Sequence, residues 1–393
     1  MIRGNIGIGL LGLGIVGGAV AEALVNKANN LAEQIGVSLA LKKVLVRNIN
    51  KPRQVKLKPG VLTDQASEVL FDPEIDIIIE LIGGEYPATA YIEQAITREK
   101  HVVTANKEVM AKHGYELLSL AKERQVNLRY EASVGSGIPL ISPFQQDLAA
   151  NDISAIHAIL NGTTNYILTK MAQEGLDFPS ALKQAQKLGY AEANPANDIE
   201  GTDAAYKLAI LSSLAFHGKF DPQDIYCEGI SRLQTQDFKY AKEFGCAIKL
   251  LAIAKRVDDS VEMRVHPVFI PEESQLAKVD GVYNAIQVES DLAGKLLFYG
   301  EGAGPSRAAS AILGDTLSIA KNICRGMNSY FEPQLNQKLT VKAMSEIRTR
   351  YYFRLNVADR PGVLAQISKV LGDNSNAVSL ESCTSLESSS KIC

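Results

Sequence analysis

The amino-terminal segment combines an absence of charge with a high density of glycine, and this combination narrows the possible folds more than any other feature. From Gly4 to Ala21 no residue is charged, and seven of these 18 residues are glycine. A membrane span or a signal sequence is one explanation for such a segment. Glycine at this density weakens a membrane helix, and Glu22 follows directly. A strand, a tight turn and a helix therefore explain the segment better.

The same segment contains a motif typical of dinucleotide binding. Residues 6–11 predict a buried strand of a parallel sheet, and residues 19–24 predict a helix. The GxGxxG between them allows the turn, the approach of a pyrophosphate and close packing of helix on strand. The positive end of the helix then favours phosphate. A glycine-rich structural turn is the alternative, but this context favours a cofactor site formed by Gly12, Leu13, Gly14, Ile15, Val16 and Gly17.

Cationic residues follow the second predicted strand, residues 41–47. An NAD site places an acid at this strand end to bind the 2′-hydroxyl of the ribose. This sequence has Arg47 there, with Lys51 and Arg53 just beyond. The cluster suits the 2′-phosphate of NADP, so NADP(H) is expected to be preferred, with NAD(H) still possible. The alternative is a solvated basic loop.

Three further apolar segments continue the alternation of strand and helix. They are residues 75–82, 101–104 and 127–131, and each leads into a polar or glycine-rich turn. Open α/β sheets bind ligands at these carboxyl ends. Lys107 follows the fourth strand, so it is either near the nicotinamide or an ordinary lysine in the first turn of a helix. The expected fold class is α/β, with a Rossmann-type doubly wound parallel sheet.

The pattern of the sequence changes after about residue 140. Helical segments such as 179–188 alternate with segments of period two such as 261–265. This mixture predicts an α+β domain with a largely antiparallel or mixed sheet. The helical segment 308–320 returns to the first pattern and is expected to pack back on the nucleotide domain.

Composition argues against several classes of function. The hydrophobic content of 46% and the charged content of 22% are ordinary for a globular protein. The net charge of −3 and the lack of a basic run argue against nucleic-acid binding, and no membrane partner is expected. Five scattered cysteines without a CxxC suggest neither a disulfide framework nor a zinc site. A reducing, cytoplasmic setting is expected.

A carboxylate-rich loop runs into an apolar helix at residues 189–216. In the helical part, after Thr202, Asp203 and Lys207 are the only charged residues. A helix that is apolar on nearly all sides is buried, so its charges must be paired or used. Their i, i+4 spacing with the acid first predicts an ion pair. The pair either only fixes the helix, or it holds a proton donor, because burial lowers the pKa of a lysine towards the working range.

Four motifs together resemble the homoserine dehydrogenase family. They are Gly12–Gly17, Thr104–Lys107, Asn161–Tyr166 and the segment from Ala185 to Lys207, which matches the most specific family pattern. The resemblance covers roughly residues 5–330. It implies hydride transfer between a nicotinamide cofactor and the pair L-homoserine and L-aspartate 4-semialdehyde, in threonine, methionine and isoleucine biosynthesis. Another NADP-linked oxidoreductase on the same scaffold and a non-catalytic NADP-binding protein are the alternatives.

The resemblance also implies roles for individual residues. Lys207 matches the catalytic lysine, held by Asp203, and Lys107 matches a second active-site lysine. Glu192 matches the glutamate that binds homoserine, and Glu200 matches no role. The other implied substrate contacts are Asp198, Gly162, Thr163 and Tyr190. The other implied cofactor contacts are Thr104, Lys107, Gly189, Gly302 and Gly304. A monovalent cation, Na⁺ or K⁺, is implied mainly at backbone carbonyls of Glu131, Val134, Ser136 and Ile138.

Four parts are expected along the chain. They are an NAD(P)-binding domain at 1–138 with 300–330 packing back on it, a substrate-binding and oligomerisation domain at 139–299, a linker at 331–348 and a partial ACT-like segment with a disordered tail at 349–393. The resemblance suggests a homodimer or homotetramer formed through the middle domain's sheet.

The carboxyl-terminal part resembles only the beginning of an ACT domain. Residues 351–371 match its first strand, turn and helix, and Val378–Leu380 could begin a second strand. One strand and one helix cannot close a sheet. The segment is therefore expected to dock on the enzyme body, pair with a second subunit or stay mobile. Feedback by an amino acid such as threonine is expected to be absent or weak.

Overall fold

The computed structural model of the protein describes residues 5–327, 335, 337–358, 360–373, 382–383 and 391–392. Two large sheets organise these residues, one in each half of the chain. Within the described ranges, none of the helices combines the length and the apolar character that a bilayer crossing requires.

The first sheet has six parallel strands in the order β3-β2-β1-β4-β5-β6. The strands are β1 (Asn5–Leu11), β2 (Ser38–Leu45), β3 (Leu62–Thr63), β4 (Ile77–Glu80), β5 (His101–Thr104) and β6 (Leu128–Arg129). The helices are α1 (Ile15–Asn26), α2 (Ala28–Ile35), α3 (Ser67–Leu70), α4 (Ala88–Thr97) and α5 (Lys107–Glu123). Strands covered on both faces need apolar side chains throughout, and Ile6, Ile8 and Leu10 are fully buried. The predicted doubly wound parallel sheet is confirmed.

The glycine loop between β1 and α1 has the geometry that its motif requires. Gly12 has a φ of 99°. A Cβ on Gly17 would lie 2.2 Å from the carbonyl oxygen of Gly12, so only glycine fits there without a shift. A Cβ on Gly14 would have no neighbour within 4 Å. The loop therefore packs tightly at its two ends and is open at its middle glycine.

The second sheet has seven strands and is largely antiparallel, as predicted. Its strands are β7 (Ile153–Ile159), β8 (Tyr226–Cys227), β9 (Cys246–Val257), β10 (Ser260–Pro271), β11 (Tyr283–Ser290), β12 (Gly294–Glu301) and β13 (Thr340–Val341). The helices of this half are α6 (Ile141–Gln145), α7 (Gly162–Glu174), α8 (Phe178–Lys187), α9 (Ala196–Ile199), α10 (Thr202–Phe216) and α11 (Thr235–Glu243). Helix α12 (Pro305–Cys324) returns to α1 and joins the core of the first sheet, as the sequence predicts.

Several strands have other bounds than the sequence predicts. β2 begins at Ser38 and ends at Leu45, earlier than the predicted 41–47, and β4 covers only Ile77–Glu80. β6 ends at Arg129, and a 3₁₀ turn over Glu131–Ser133 follows. The Glu131 carboxylate accepts the N–H groups of residues 140–142 at 2.6–2.9 Å. These bonds hold the chain in a compact turn beyond the last strand.

The carboxyl-terminal segment is docked on the second half, so a plain linker at 331–348 is not what the described residues show. β13 pairs with β10 in parallel, and Ile347 is buried. Further on, the Tyr352 hydroxyl and the Arg354 guanidinium donate to the buried Asp237 carboxylate at 2.9 and 2.7 Å. Of the three alternatives expected for this segment, these contacts support docking on the enzyme body. The remaining elements are β14 (Leu355–Asn356), α13 (Val363–Asp373), β15 (Ser382–Cys383) and β16 (Lys391–Ile392). Val378–Leu380 lies outside the described residues.

Candidate active site

Two lysines from opposite halves of the chain meet at one buried carboxylate. Lys107 is the first residue of α5, where the carboxyl end of β5 leads into a helix. Its ammonium contacts Asp203 Oδ1, and the Lys207 ammonium lies 2.9 Å from Asp203 Oδ2. Asp203 is only 2% exposed. The predicted i, i+4 pair is therefore present, and Lys107 adds a second cation that sequence spacing alone could not place.

Asn161 holds this carboxylate and a second one. Its Nδ2 donates to Asp203 Oδ2 at 2.9 Å and to Asp198 Oδ1 at 2.8 Å. Its Oδ1 accepts the N–H of Thr164 and thereby caps α7. The Lys207 ammonium also donates to the carbonyl oxygen of Leu160 at 2.8 Å. Two of its three protons are thus bound by protein, and the third can serve a substrate oxygen.

Burial and mutual charge set the protonation of the cluster. Burial favours a raised pKa for Asp203, but the ammoniums of Lys207 and Lys107 outweigh it and hold this pKa well below its usual range. Burial lowers the pKa of Lys207, and the like charge of Lys107 adds to that effect. Burial opposes the charge of Lys107 too, yet the Asp203 carboxylate outweighs it and raises that pKa. Lys207 is consequently the lysine that releases a proton more readily.

The residues expected to contact the substrate differ in how far they are buried. Burial and repulsion from Asp203 raise the pKa of the half-buried Asp198. Glu192 is exposed, and its charge helps to raise the pKa of Lys107. Gly162 opens α7, and a Cβ there would lie 2.6 Å from a backbone oxygen. The Thr163 hydroxyl donates to the carbonyl oxygen of Tyr190 at 2.7 Å, which ties α7 to the acidic loop.

The residues expected to contact the cofactor differ in their exposure and in the hydrogen bonds that they already make. Gly14 caps α1 without a side-chain hydrogen bond, and Ile15 is 81% exposed, so the helix end is accessible. Arg47 and Lys51 are exposed. The Arg53 guanidinium donates to carbonyl oxygens of residues 48, 49 and 51 within its own loop. Arg53 thus shapes the loop that carries the other two cations.

The other expected cofactor positions differ in burial and in backbone conformation. Thr104 has no exposed surface, and its hydroxyl is bound to the Glu80 carboxylate. Gly189 and Gly304 have φ values of 77° and 125°, and Gly304 caps α12. A Cβ on Gly302 would lie 1.9 Å from Nδ2 of Asn284.

The segment expected to bind a cation forms a buried turn. Val134, Ser136 and Ile138 are buried, and Ser136 has a φ of 53°. Within the described part of the chain, the hydrogen bonds outside helices and strands leave the carbonyl oxygens of these three residues without a donor. The Glu131 carboxylate in the same turn accepts three N–H groups, two at Oε1 and one at Oε2.

The sequence did not reveal the contacts of two buried asparagines in this region, Asn161 and Asn284. Asn161 stands directly before Gly162, and an asparagine in this position is a typical helix cap, but nothing in the sequence shows that it also binds two carboxylates. Asn284 is 1% exposed, and neither polar atom of its side chain has a partner among the described residues. The structure places Asn284 directly against Gly302, a contact that the sequence does not indicate.

Two family models match the chain, one in each half. The model described as "Homoserine dehydrogenase, NAD binding domain" matches residues 12–131, and the model described as "Homoserine dehydrogenase" matches residues 139–317. The homoserine dehydrogenase of Synechocystis sp. is 43% identical and covers 96% of this chain and 88% of that relative. The one from Bacillus subtilis is 39% identical and covers 94% and 85%.

Solved structures agree with these relatives. A homoserine dehydrogenase from Thiobacillus denitrificans has a TM-score of 0.91 at 42% identity, covering 99% of this chain and 90% of that chain. A hyperthermophilic archaeal homoserine dehydrogenase in complex with NADPH has a TM-score of 0.66 at 25% identity, covering 80% and 97%. The resemblance inferred from the sequence is thereby confirmed, and the chain belongs to the homoserine dehydrogenase family, NAD(P)-dependent oxidoreductases that interconvert L-homoserine and L-aspartate 4-semialdehyde.

Proposed function

We propose that Lys207 donates the proton to the substrate oxygen during aldehyde reduction and accepts it during homoserine oxidation. The observation that carries the proposal is the burial of Lys207 and Asp203 as a pair, with Lys107 as a third member. Burial lowers the pKa of Lys207 below the ordinary value of lysine, which makes its ammonium a better proton donor. Asp203 and the Leu160 carbonyl orient the ammonium, and Lys107 supplies a lasting positive charge beside the developing alkoxide. The nicotinamide, when bound, supplies or accepts the hydride.

The substrate is a zwitterion, and the acidic loop supports a binding mode for it. We assign Glu192 to the substrate ammonium, with Asp198 as a second acceptor. The amino end of α7, at Gly162 and Thr163, suits the carboxylate because helix ends present N–H groups and positive potential. Tyr190 closes this side, with its ring 5.0 Å from that of Tyr166. An NADP-coupled assay of the purified chain with L-homoserine, compared with other amino alcohols, tests the assignment, and equal activity with all of them contradicts it.

The protonation state of Lys207 predicts opposite pH dependences in the two directions. Reduction needs the ammonium, so its kcat should fall as pH rises through the pKa of Lys207. Oxidation needs the neutral amine, so its kcat should rise through the same value. That pKa lies below the ordinary 10.5 of lysine because burial disfavours the charge. Profiles of log kcat against pH in both directions measure it, and parallel profiles contradict the role.

NADP(H) is proposed as the preferred cofactor, and Arg47 as the residue that decides the preference. Its exposed guanidinium follows β2, the position where an acid would bind the ribose of NAD. Lys51 assists, while Gly189, Gly302, Gly304 and Thr104 are assigned to the rest of the cofactor. The glycine loop and the uncapped α1 support pyrophosphate binding.

Arg47→Asp should move the preference from NADP towards NAD. Charge-assisted contacts to phosphate are about twice as strong as neutral ones, and an aspartate can accept the 2′-hydroxyl instead. The measurement is kcat/KM for both cofactors, with binding measured separately by titration. Lys183 is an exposed cation on α8, so Lys183→Asp is a control with the same change of charge. It should leave the ratio of kcat/KM for NADP to kcat/KM for NAD unchanged. A wild-type enzyme with the higher kcat/KM for NAD contradicts the proposal.

A monovalent cation is proposed at the turn of residues 131–138. Backbone oxygens suit a hard cation, and the carbonyls of Val134, Ser136 and Ile138 support such a site. NaCl and KCl should raise the melting temperature above that measured in choline chloride at equal ionic strength. Identical melting temperatures in all three salts contradict the site.

We further propose a cytoplasmic homodimer or homotetramer assembled through the second sheet. Leu297 and Tyr299 of β12 are 36% and 53% exposed and share a sheet face with His157. On that face the buried His157 Nδ1, His266 Nε2 and Arg264 Nε have no partner among the described residues. Sedimentation velocity at micromolar concentration tests this assembly, and a monomer contradicts it.

A further inference from the structure

We propose that Glu80 is a positioning residue, which sets the place of Lys107 by joining the loops at the carboxyl ends of β4 and β5. This inference rests on the role proposed above for Lys107 and assigns a function to a side chain outside the substrate and cofactor contacts. Glu80 is the last residue of β4 and has no exposed surface. A carboxylate in the apolar centre of a sheet is costly unless hydrogen bonds compensate it, so its partners define its function.

Donors surround the Glu80 carboxylate. Oε1 accepts the N–H of Ile82 at 2.7 Å, and Oε2 accepts the hydroxyl of Thr104 at 2.6 Å. Thr104 Oγ1 also accepts the N–H of Asn106 at 3.0 Å, so this hydroxyl joins Glu80 to the residue that precedes Lys107. Burial raises the pKa of Glu80, and these hydrogen bonds offset part of the rise. Each oxygen of Glu80 is thus bound to a different segment, one to the turn after β4 and the other to the end of β5.

Asn106 carries the connection from Thr104 to the catalytic cluster. Its Nδ2 donates to the carbonyl oxygen of Gly84 at 2.7 Å, and its Oδ1 accepts the N–H of Val109 at 3.2 Å as the cap of α5. Lys107 is the next residue, and its ammonium binds Asp203. The chain of bonds from Glu80 through Thr104 and Asn106 thus fixes the turn after β4 and the first residue of α5 together.

Glu80→Gln tests this function directly. The amide keeps the shape of the side chain but has a single acceptor oxygen, so it cannot accept both the Ile82 N–H and the Thr104 hydroxyl, and one of the two contacts must be lost or reversed. We expect kcat to fall roughly 10- to 100-fold, since a displacement of about 1 Å costs on the order of 10²-fold. Asp76→Asn is the matched control. Asp76 lies directly before β4, at the amino end of the strand, and its carboxylate accepts the N–H of Gly7 at 2.9 Å. This control should keep the wild-type kcat.

Two variants of Thr104 distinguish the effect of the hydrogen bond from the effect of packing. They test the proposal even if the Glu80→Gln protein does not fold. Thr104→Val removes the hydroxyl at nearly constant volume, whereas Thr104→Ser keeps it. The valine variant should reproduce the fall in kcat, and the serine variant should retain most of the activity. In the double variant Glu80→Gln/Thr104→Val, the fold-decrease in kcat should be smaller than the product of the fold-decreases in the two single variants. Both substitutions break the same hydrogen bond, so their effects are not additive in free energy. Equal impairment by serine and valine contradicts the proposal.

Hydrogen exchange distinguishes this inference from the role of Lys107. Glu80→Gln should speed amide exchange at residues 82–84 and 106–109, and Asp76→Asn should not. If Lys107→Ala keeps its turnover while Glu80→Gln speeds exchange at both loops, the role of Lys107 fails and the positioning by Glu80 stands. Wild-type exchange at both loops in a folded Glu80→Gln protein overturns the positioning, whatever Lys107→Ala does. Loss of thermal stability alone, with wild-type kcat, overturns it as well.

Discussion

Replacing Lys207 by alanine should lower kcat by roughly 10²- to 10⁴-fold, the range for loss of a positioned proton donor. The loss should appear in both reaction directions, because the same group gives and takes the proton. NADP affinity should change little, since Lys207 lies on α10 and the phosphate loop lies before α1. Steady-state kinetics and cofactor titration of the purified variant measure the two quantities.

The chain offers a matched control for this substitution. Lys249 is also a buried lysine paired with an aspartate, 2.9 Å from Asp280, but it lies on β9. Lys249→Ala should lower stability and leave kcat close to wild type. Near-normal turnover in a folded Lys207→Ala protein, or an equal loss in both variants, would falsify the assignment.

Asp203→Asn should have the second-largest effect. It leaves two ammoniums beside a neutral amide, and breaking a buried ion pair costs about 3–5 kcal/mol of the free energy of unfolding. The kcat should also fall by on the order of 10²-fold, because Lys207 loses the partner that orients it. Urea unfolding and steady-state kinetics measure these effects. Asp280→Asn, the equivalent change beside Lys249, should leave kcat unchanged.

The stability difference between wild type and Asp203→Asn should depend on pH with a definite sign. The folded-state pKa of Asp203 is held below its ordinary value, so its contribution is complete above about 3.9, the unfolded value. As pH falls below that range towards the folded pKa, both proteins carry a neutral group there and the difference should shrink. A difference that grows in acid contradicts the ion-pair account.

The sequence predicted the sheets well because each depends on periodic apolar residues. The strands around Ile8 and Val103 are buried on both faces, and this produces the continuous apolar runs that mark them. The buried helix with Asp203 and Lys207 was predictable for the same reason. Strand ends were less predictable, because β2 stops where its pairing with neighbours stops and not where apolar residues stop.

The candidate site was only partly predictable because much of it depends on contacts between distant segments. Lys107 and Asp203 are 96 residues apart, and no local spacing brings them together. The bonds of Asn161 to two carboxylates and of Glu80 to Thr104 are likewise long-range. Docking on the enzyme body was one of three alternatives for the carboxyl-terminal segment, and the sequence could not decide among them because docking depends on a two-residue pairing with β10 and on the buried Asp237.

The unequal packing of the three motif glycines has a consequence for laboratory evolution of cofactor use. Saturation libraries at Gly12 or Gly17 should consist mainly of unfolded proteins, because any Cβ there would meet a backbone oxygen at 2.7 or 2.2 Å. Gly14 leaves room for a side chain, though at the place where the pyrophosphate must approach. Productive diversity is therefore confined to the exposed loop at Arg47, where side chains can vary without disturbing the sheet beneath.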